Sequence, residues 1–224
     1  MTIAVAVDGP SGAGKSTVGR ALARRIRARF VDTGLMYRAL TLAALERGID
    51  LEDGPALAAL AETCRIEIER PGPGQADQHE TVLLGGRDVT VELRRPEVDR
   101  AVSAVSRHAE VRQAMLPVQR AAAFRGDVVI VGRDIGTVIL PDATLKVYLT
   151  ASAEVRAARR AAEMGTPDRA EEYLEEIRRR DAADSERAVA PLRIPADALI
   201  LDSGELDVDA CVEAIVERLE EIGA

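Results

Sequence analysis

The sequence predicts an α/β protein with a doubly wound, mainly parallel sheet, and three features near its start carry that prediction. Ile3 to Val7 is an unbroken run of β-branched residues and Ala, the pattern of a parallel strand buried on both faces. It ends in a Gly-rich turn, Gly9-Pro10-Ser11-Gly12-Ala13-Gly14. The next segment keeps Val18, Leu22 and Ile26 on one helical face, with Arg20, Arg24 and Arg27 on the other. Phe30-Val31 opens a second short strand that ends at Asp32, and Met36 to Leu45 reads as another helix. Strand, turn, helix, strand and helix with short connections make the opening of a doubly wound sheet.

The middle of the chain changes character. Leu57 to Cys64 reads as helical, but Arg65 to Glu69 alternates with period two. Pro71-Gly72-Pro73-Gly74 is a breaker cluster, and Thr81 to Leu84 and Asp88 to Val91 read as short strands around Gly85-Gly86. A small antiparallel lobe over residues 65–95 is therefore expected within a core made of 1–64 and 96–224. Two helices follow, near 97–106 and 109–124. Asp127 to Val131 and Leu145 to Leu149 return to the main sheet, and Ala198 to Leu201 is its last strand. Ala151 to Arg180 is mostly helical, Arg-rich and broken near Gly165-Thr166-Pro167. A final helix aligns Val208, Cys211, Val212, Ile215, Val216, Leu219 and Ile222.

Composition narrows the functional classes. The net charge of −8 argues against a nucleic-acid coat, which needs clustered positive charge facing phosphates. Aromatics are only 2%, so the core is aliphatic and stacking platforms for single strands are lacking. Cys64 and Cys211 stand far apart without a CxxC partner, so they read as small buried hydrophobes in a reducing compartment. His79 and His108 are isolated and read as surface residues. No apolar run approaches the roughly 20 residues of a membrane span. The MTIAVAVDGP start lacks a basic n-region, so the expectation is a cytoplasmic protein with no membrane or nucleic-acid partner.

One motif carries chemistry. Gly9 to Ser16 fits G-x-x-x-x-G-K-[ST] in full, after a buried strand and before a helix. Gly9, Pro10, Ser11, Gly12, Ala13, Gly14, Lys15, Ser16 and Thr17 are thus candidates for binding ATP. Glycines let the loop curl so that successive N–H groups meet phosphate oxygens, and the helix N-terminus adds partial positive charge. Lys15 supplies a mobile point charge for the moving phosphoryl group, and Ser16 Oγ is placed to ligate Mg²⁺. Only two lysines, Lys15 and Lys146, stand beside 28 arginines, so a chance lysine at this position is improbable. With no Asn, the chain cannot carry the Asn-Lys-x-Asp element of guanine-specific switches. The strand Val128–Val131 ends in Gly132-Arg133-Asp134 rather than in paired acidic residues, which suits a kinase better than a transport ATPase.

Further stretches resemble one family. Asp8 to Thr17, Asp32-Thr-Gly-Leu-Met-Tyr-Arg38, Gly85-Gly-Arg-Asp-Val89, Gly132-Arg-Asp-Ile-Gly-Thr137 and Arg180 to Leu192 run in the order found in bacterial cytidylate kinases, a family of P-loop nucleoside-monophosphate kinases. The resemblance implies a core five-stranded parallel sheet flanked by helices, a monophosphate-binding insert and a helical lid within about 156–172. It implies that Thr33, Tyr37 and Arg38 hold the acceptor nucleotide, Arg38 by its phosphate, and that Ser103 and Arg112 contact the cytosine. Arg133 would bridge the acceptor phosphate, with Asp134 near base or sugar. Asp184 would hold sugar hydroxyls, flanked by Arg180 and Arg187. Arg156, Arg159 and Arg160 would close over the triphosphate, making Lys15, Arg133, Arg156 and Arg159 the catalytic candidates. Asp32 either orients a Mg²⁺-bound water or caps the next helix.

The implied reaction is ATP + CMP or dCMP to ADP + CDP or dCDP, by a monomer with Mg²⁺ bound alongside ATP. An anionic phosphate oxygen as acceptor needs no general base, in keeping with the lack of a paired His or carboxylate motif. Positioning and charge neutralisation would do the catalysis. A kinase for UMP or dTMP, or a non-catalytic ATP-dependent switch, is the alternative.

Overall fold

The structure, a computed structural model, describes residues 2–69, 80–124 and 126–223. The breaker cluster at 71–74 and His79 lie outside the described residues. In chain order the elements are β1 (Ala4–Asp8), α1 (Lys15–Arg25), β2 (Arg29–Asp32), α2 (Thr33–Glu46), α3 (Gly54–Thr63), β3 (Ile66–Glu69), β4 (Thr81–Leu84) and β5 (Arg87–Asp88). Then follow α4 (Pro96–Ser106), α5 (Ala109–Ala123), β6 (Val128–Gly132), β7 (Leu145–Thr150), α6 (Ala153–Glu163), α7 (Ala170–Glu186), β8 (Leu199–Asp202) and α8 (Val208–Glu221). They form two compact units, one of residues up to Asp32 and from Arg120 onward, the other of Thr33–Gln119.

The first unit is the expected doubly wound sheet. Its five strands run β2-β6-β1-β7-β8, all parallel, with Ala6 opposite Ile130 on one side and Lys146 on the other. Connections from β1 to β2 and from β6 to β7 leave in opposite directions across the sheet. Such a switch point puts a crevice at the carboxyl end of β1, and the Gly-rich loop begins there. An aliphatic layer of Val5, Val7, Val18, Leu22, Val147, Leu149, Ile215 and Leu219 joins sheet, α1 and α8, with Cys211 buried among them. At roughly 1.5–3 kcal/mol for each such side chain, this layer is the main stabilising term of the unit.

The second unit carries a three-stranded antiparallel sheet, β3-β4-β5. Gly85 and Gly86 have φ of +59° and +84°, the positive pair that a tight two-residue hairpin between Leu84 and Arg87 requires. The predicted strand Asp88–Val91 is shorter than expected: pairing stops at Asp88. The Asp88 carboxylate accepts from the Thr90 N–H and hydroxyl (2.9 and 2.7 Å), which turns the chain into a short 3₁₀ helix at Glu92–Arg94 and leaves Val91 exposed. Val82, Val89, Leu93 and Val98 pack with Ala39 and Leu42 of α2. Cys64 is half-buried rather than buried. Among the described residues, no helix is long and apolar enough to cross a membrane.

Candidate active site

In the first unit the phosphate loop is bound by its carbonyls. Lys15 Nζ, almost wholly buried, donates to Pro10 O at 2.6 Å. Burial, then the Arg133 charge, pulls the Lys15 ammonium well below its ordinary value, against the opposing pull of Asp32, Asp8 and Asp184. Arg156 Nη1 donates to Ser11 O (3.1 Å), and Ser203 Oγ lies 3.0 Å from Ala13 O. Space is tight behind the loop: a Cβ on Gly9 would sit 2.0 Å from Leu149 O, and one on Gly12 would sit 3.2 Å from the Arg156 Cβ. Both glycines have positive φ, +152° and +78°.

Ser16, in the first turn of α1, donates its hydroxyl to Asp32 Oδ2 at 2.6 Å. Asp32, for which two roles are open, accepts this hydrogen bond from the loop serine. This pair offers two hard oxygen donors of the kind Mg²⁺ prefers, so the residues fit that ion.

Arg133, Asp184 and Arg187 come together as a charged cluster. Arg133 Nε donates to Asp184 Oδ2 at 2.9 Å, and Arg187 Nη1 lies 3.5 Å from Asp184 Oδ1. Burial pushes the Asp184 carboxyl up, but Arg133, Arg187 and Arg180 outweigh it and hold it below the usual carboxylate range. Arg187 also donates to Ala190 O at 2.7 Å. Asp134 is buried at the start of a single π-turn, Ile135–Ile139.

The arginines expected over the triphosphate are tied to neighbouring groups of the protein. Arg156 is buried on α6, with Nε on Ala151 O (2.9 Å) and both Nη groups on Asp181 of α7 (3.1 and 2.7 Å). Arg159 bonds the hydroxyl and carbonyl of Ser203. Acceptors just after β7 and β8, in the phosphate loop and on α7 hold these side chains. Arg159 and Arg160 are both half-buried, Arg160 lying 3.6 Å from Glu163.

In the second unit Arg38 donates to Leu93 O at 3.1 Å and pairs with Asp99. Arg112 lies over the Tyr37 ring, 5.4 Å from its centroid, and donates to Ser106 O. Thr33 and Tyr37 are buried at the start of α2, and Ser103 sits half-buried on α4. Thus Tyr37 and Arg112 share one cluster, while Arg38 is anchored through the carboxylate on α4.

Three residues lay outside the expectation: Asp8, Asp181 and Ser203. Asp8 is buried at the end of β1 and accepts from the Ile135 and Gly136 N–H groups, both at 2.7 Å. Its one sequence signal is a carboxylate closing an otherwise apolar strand. Asp181 and Ser203 carry no signal in one sequence, because their partners lie 25 and 190 residues away.

A complete phosphate loop at the switch point of a parallel sheet, with a buried lysine in it and an arginine–carboxylate cluster in the same unit, defines a kinase of the P-loop class. A gluconokinase from Sinorhizobium meliloti shares the fold, with a TM-score of 0.52 at 15% identity, over 99% of this chain and 95% of that one. The profile of the cytidylate kinase family matches residues 5–221, and the chain belongs to that family. A cytidylate kinase of Exiguobacterium sibiricum is 48% identical over 221 residues, 97% of each chain. Another from Shouchella clausii is 45% identical, over 97% of this chain and 96% of that one.

Proposed function

We propose that the chain transfers the γ-phosphoryl group of ATP to CMP and dCMP. The observation that carries this reading is the complete phosphate loop, with Lys15 buried in it, in a chain that is a cytidylate kinase family member over residues 5–221. Residues 9–17 hold the triphosphate through loop N–H groups and the start of α1. A bound polyphosphate offsets the burial and the Arg133 charge that depress the Lys15 ammonium, so Lys15 is charged when it meets the transferring group. Ser16, with Asp32 through water, would hold Mg²⁺, which neutralises charge on the phosphates when bound.

Arg38 grips the acceptor phosphate, Thr33 and Tyr37 support it, and Ser103 and Arg112 read the cytosine edge. Arg133 and Arg187 bracket Asp184 and, with Arg180, present fixed guanidinium forks to phosphate and sugar, with Asp134 near the base or sugar. Arg156 and Arg159 act on the loop that holds ATP. The segment 65–95 serves the monophosphate and 156–172 the lid, in a cytoplasmic monomer.

The test is an acceptor panel of CMP, dCMP, UMP and dTMP with purified protein. Transfer to CMP and dCMP, lost in Lys15→Ala, is expected. Faster turnover of UMP than of both cytidine nucleotides would overturn the substrate assignment. ATP binding without transfer to any acceptor would favour a switch.

A further inference from the structure

From the geometry around the end of β1 we infer that Asp8 is a positioning residue for Arg133, locking the loop that carries this arginine to the strand from which the phosphate loop springs. Asp8 is fully buried, and its two oxygens accept separately from Ile135 and Gly136, each at 2.7 Å. Those amides open the π-turn Ile135–Ile139, a rare conformation whose unpaired N-terminal N–H groups need an acceptor. The far end of the turn is held too: Arg120 donates to Ile139 O (3.1 Å) and Val138 O (2.9 Å). A carboxylate at one end and a guanidinium at the other therefore fix a turn that sequence pattern alone would not form.

The turn has little room to move. A Cβ on Gly136 would meet the Lys146 stem and the Pro195 ring, each at 3.2 Å. Arg133 precedes the first clamped amide by two residues, and Gly9, the first residue of the phosphate loop, follows Asp8 directly. Asp8 itself is paired in register with Gly132 of β6 and Tyr148 of β7. One carboxylate thus fixes where Arg133 starts relative to the loop that holds ATP. The charged and titratable groups that act on or feel this carboxylate are Asp134 after β6, Lys15 on α1 and Tyr148 on β7. Burial holds the Asp8 carboxyl up at about 6, the Ile135 and Gly136 bonds oppose this, Asp134 adds to it and Lys15 opposes it. Protonation would place a hydroxyl where an N–H donor now points.

The inference rests on the phosphoryl-transfer role given to Arg133, and a double-mutant cycle separates the two. Asp8→Asn keeps the shape but aims an NH₂ at one of the two backbone donors. It should lower kcat for CMP about 10- to 100-fold, as loss of a positioning contact does, with the KM for ATP little changed. Against Arg133→Ala the same substitution should cost much less, since the arginine it positions is gone. Equal fold-losses in both backgrounds, or proportional losses in kcat and folded fraction, would overturn the inference while leaving Arg133 in place. An Arg133→Ala variant with full activity would instead overturn the reading beneath it. Should Asp8→Asn not fold, the unmodified chain gives the second arm. Amide exchange at Ile135 and Gly136, followed by NMR from pH 7.5 to 5, should lose protection as kcat falls; protection that stays constant while kcat falls overturns it.

Discussion

Replacing Asp181 by Asn tests how the phosphate loop is braced. In the native chain both Nη groups of Arg156 meet this carboxylate, while Nε holds Ala151 O and Nη1 also reaches Ser11 O. The arginine side chain is only 5% exposed, so after the substitution its charge has two neutral carbonyls and no counter-ion. Breaking a buried pair on one side costs about 3–5 kcal/mol. Asp181 is 27% exposed and the two carbonyls remain, which together bring the expected loss to about 2–3 kcal/mol. In a chain of this length each kcal/mol moves Tm by about 2–4 °C, so a drop of about 4–12 °C should be seen by circular dichroism. The KM for ATP should rise as well, because Ser11 O sets the direction of the Gly12 N–H across their shared peptide. Arg156→Met added to Asp181→Asn should restore part of the Tm, having removed the stranded charge, but not the KM. A Tm change under about 2 °C with an unaltered KM for ATP would refute the bracing argument.

Three further outcomes are expected. Gly9→Ala should fail to give soluble, folded protein, since its Cβ would lie 2.0 Å from Leu149 O at a φ of +152°; a cooperative melt near that of the native chain would contradict this. Arg38→Ala should raise the KM for CMP by about tenfold or more, the loss of a charged hydrogen bond, with the KM for ATP unmoved; equal changes in both would place Arg38 outside the acceptor site. Burial raises the Asp8 carboxyl to about 6, above its value in the unfolded chain, so the stability this proton brings is present below pH about 4 and lost as pH rises through about 6. Measured against Asp8→Asn by urea unfolding, the native chain should lose about 3 kcal/mol of relative stability between pH 4 and 7, and a constant difference would contradict the shift.

The sheet was legible because its strands are buried on both faces and so spell continuous apolar runs, Ile3–Val7 and Val128–Val131 above all. The phosphate loop was legible because its chemistry is local: every group it needs lies within nine consecutive residues. The strand at Asp88–Val91 misled because Val89 and Val91 alternate correctly, while the Asp88–Thr90 side-chain bonds that end the pairing leave no trace in hydrophobic period. The π-turn after Arg133 has neither period two nor 3.6, and its existence depends on Asp8 and Arg120, one of them 127 residues from its amide partner. Arg156 shows the same limit. Only the family resemblance singles it out in the sequence, and nothing there shows the three acceptors from three separate segments that enclose it.

These distant contacts share a logic that the composition of the chain reflects. In a trans peptide the carbonyl of one residue and the N–H of the next point in opposite directions. Arg156 on Ser11 O and Ser203 on Ala13 O therefore turn the Gly12 and Gly14 N–H groups away from the protein side of the loop, in advance of any nucleotide. Loop amides aimed beforehand stabilise developing negative charge without reorganising during the reaction. The side chain at the back of the loop must meet acceptors in three directions at once, and only a planar guanidinium with five N–H groups does that while keeping its charge under burial. The side chain at the front must follow a moving group, for which a single ammonium on a flexible stem is suited. A chain that writes nearly all its positive charge as arginine keeps lysine at this one place in the loop, and substituting Lys15 by Arg should therefore impair transfer even though the charge is retained.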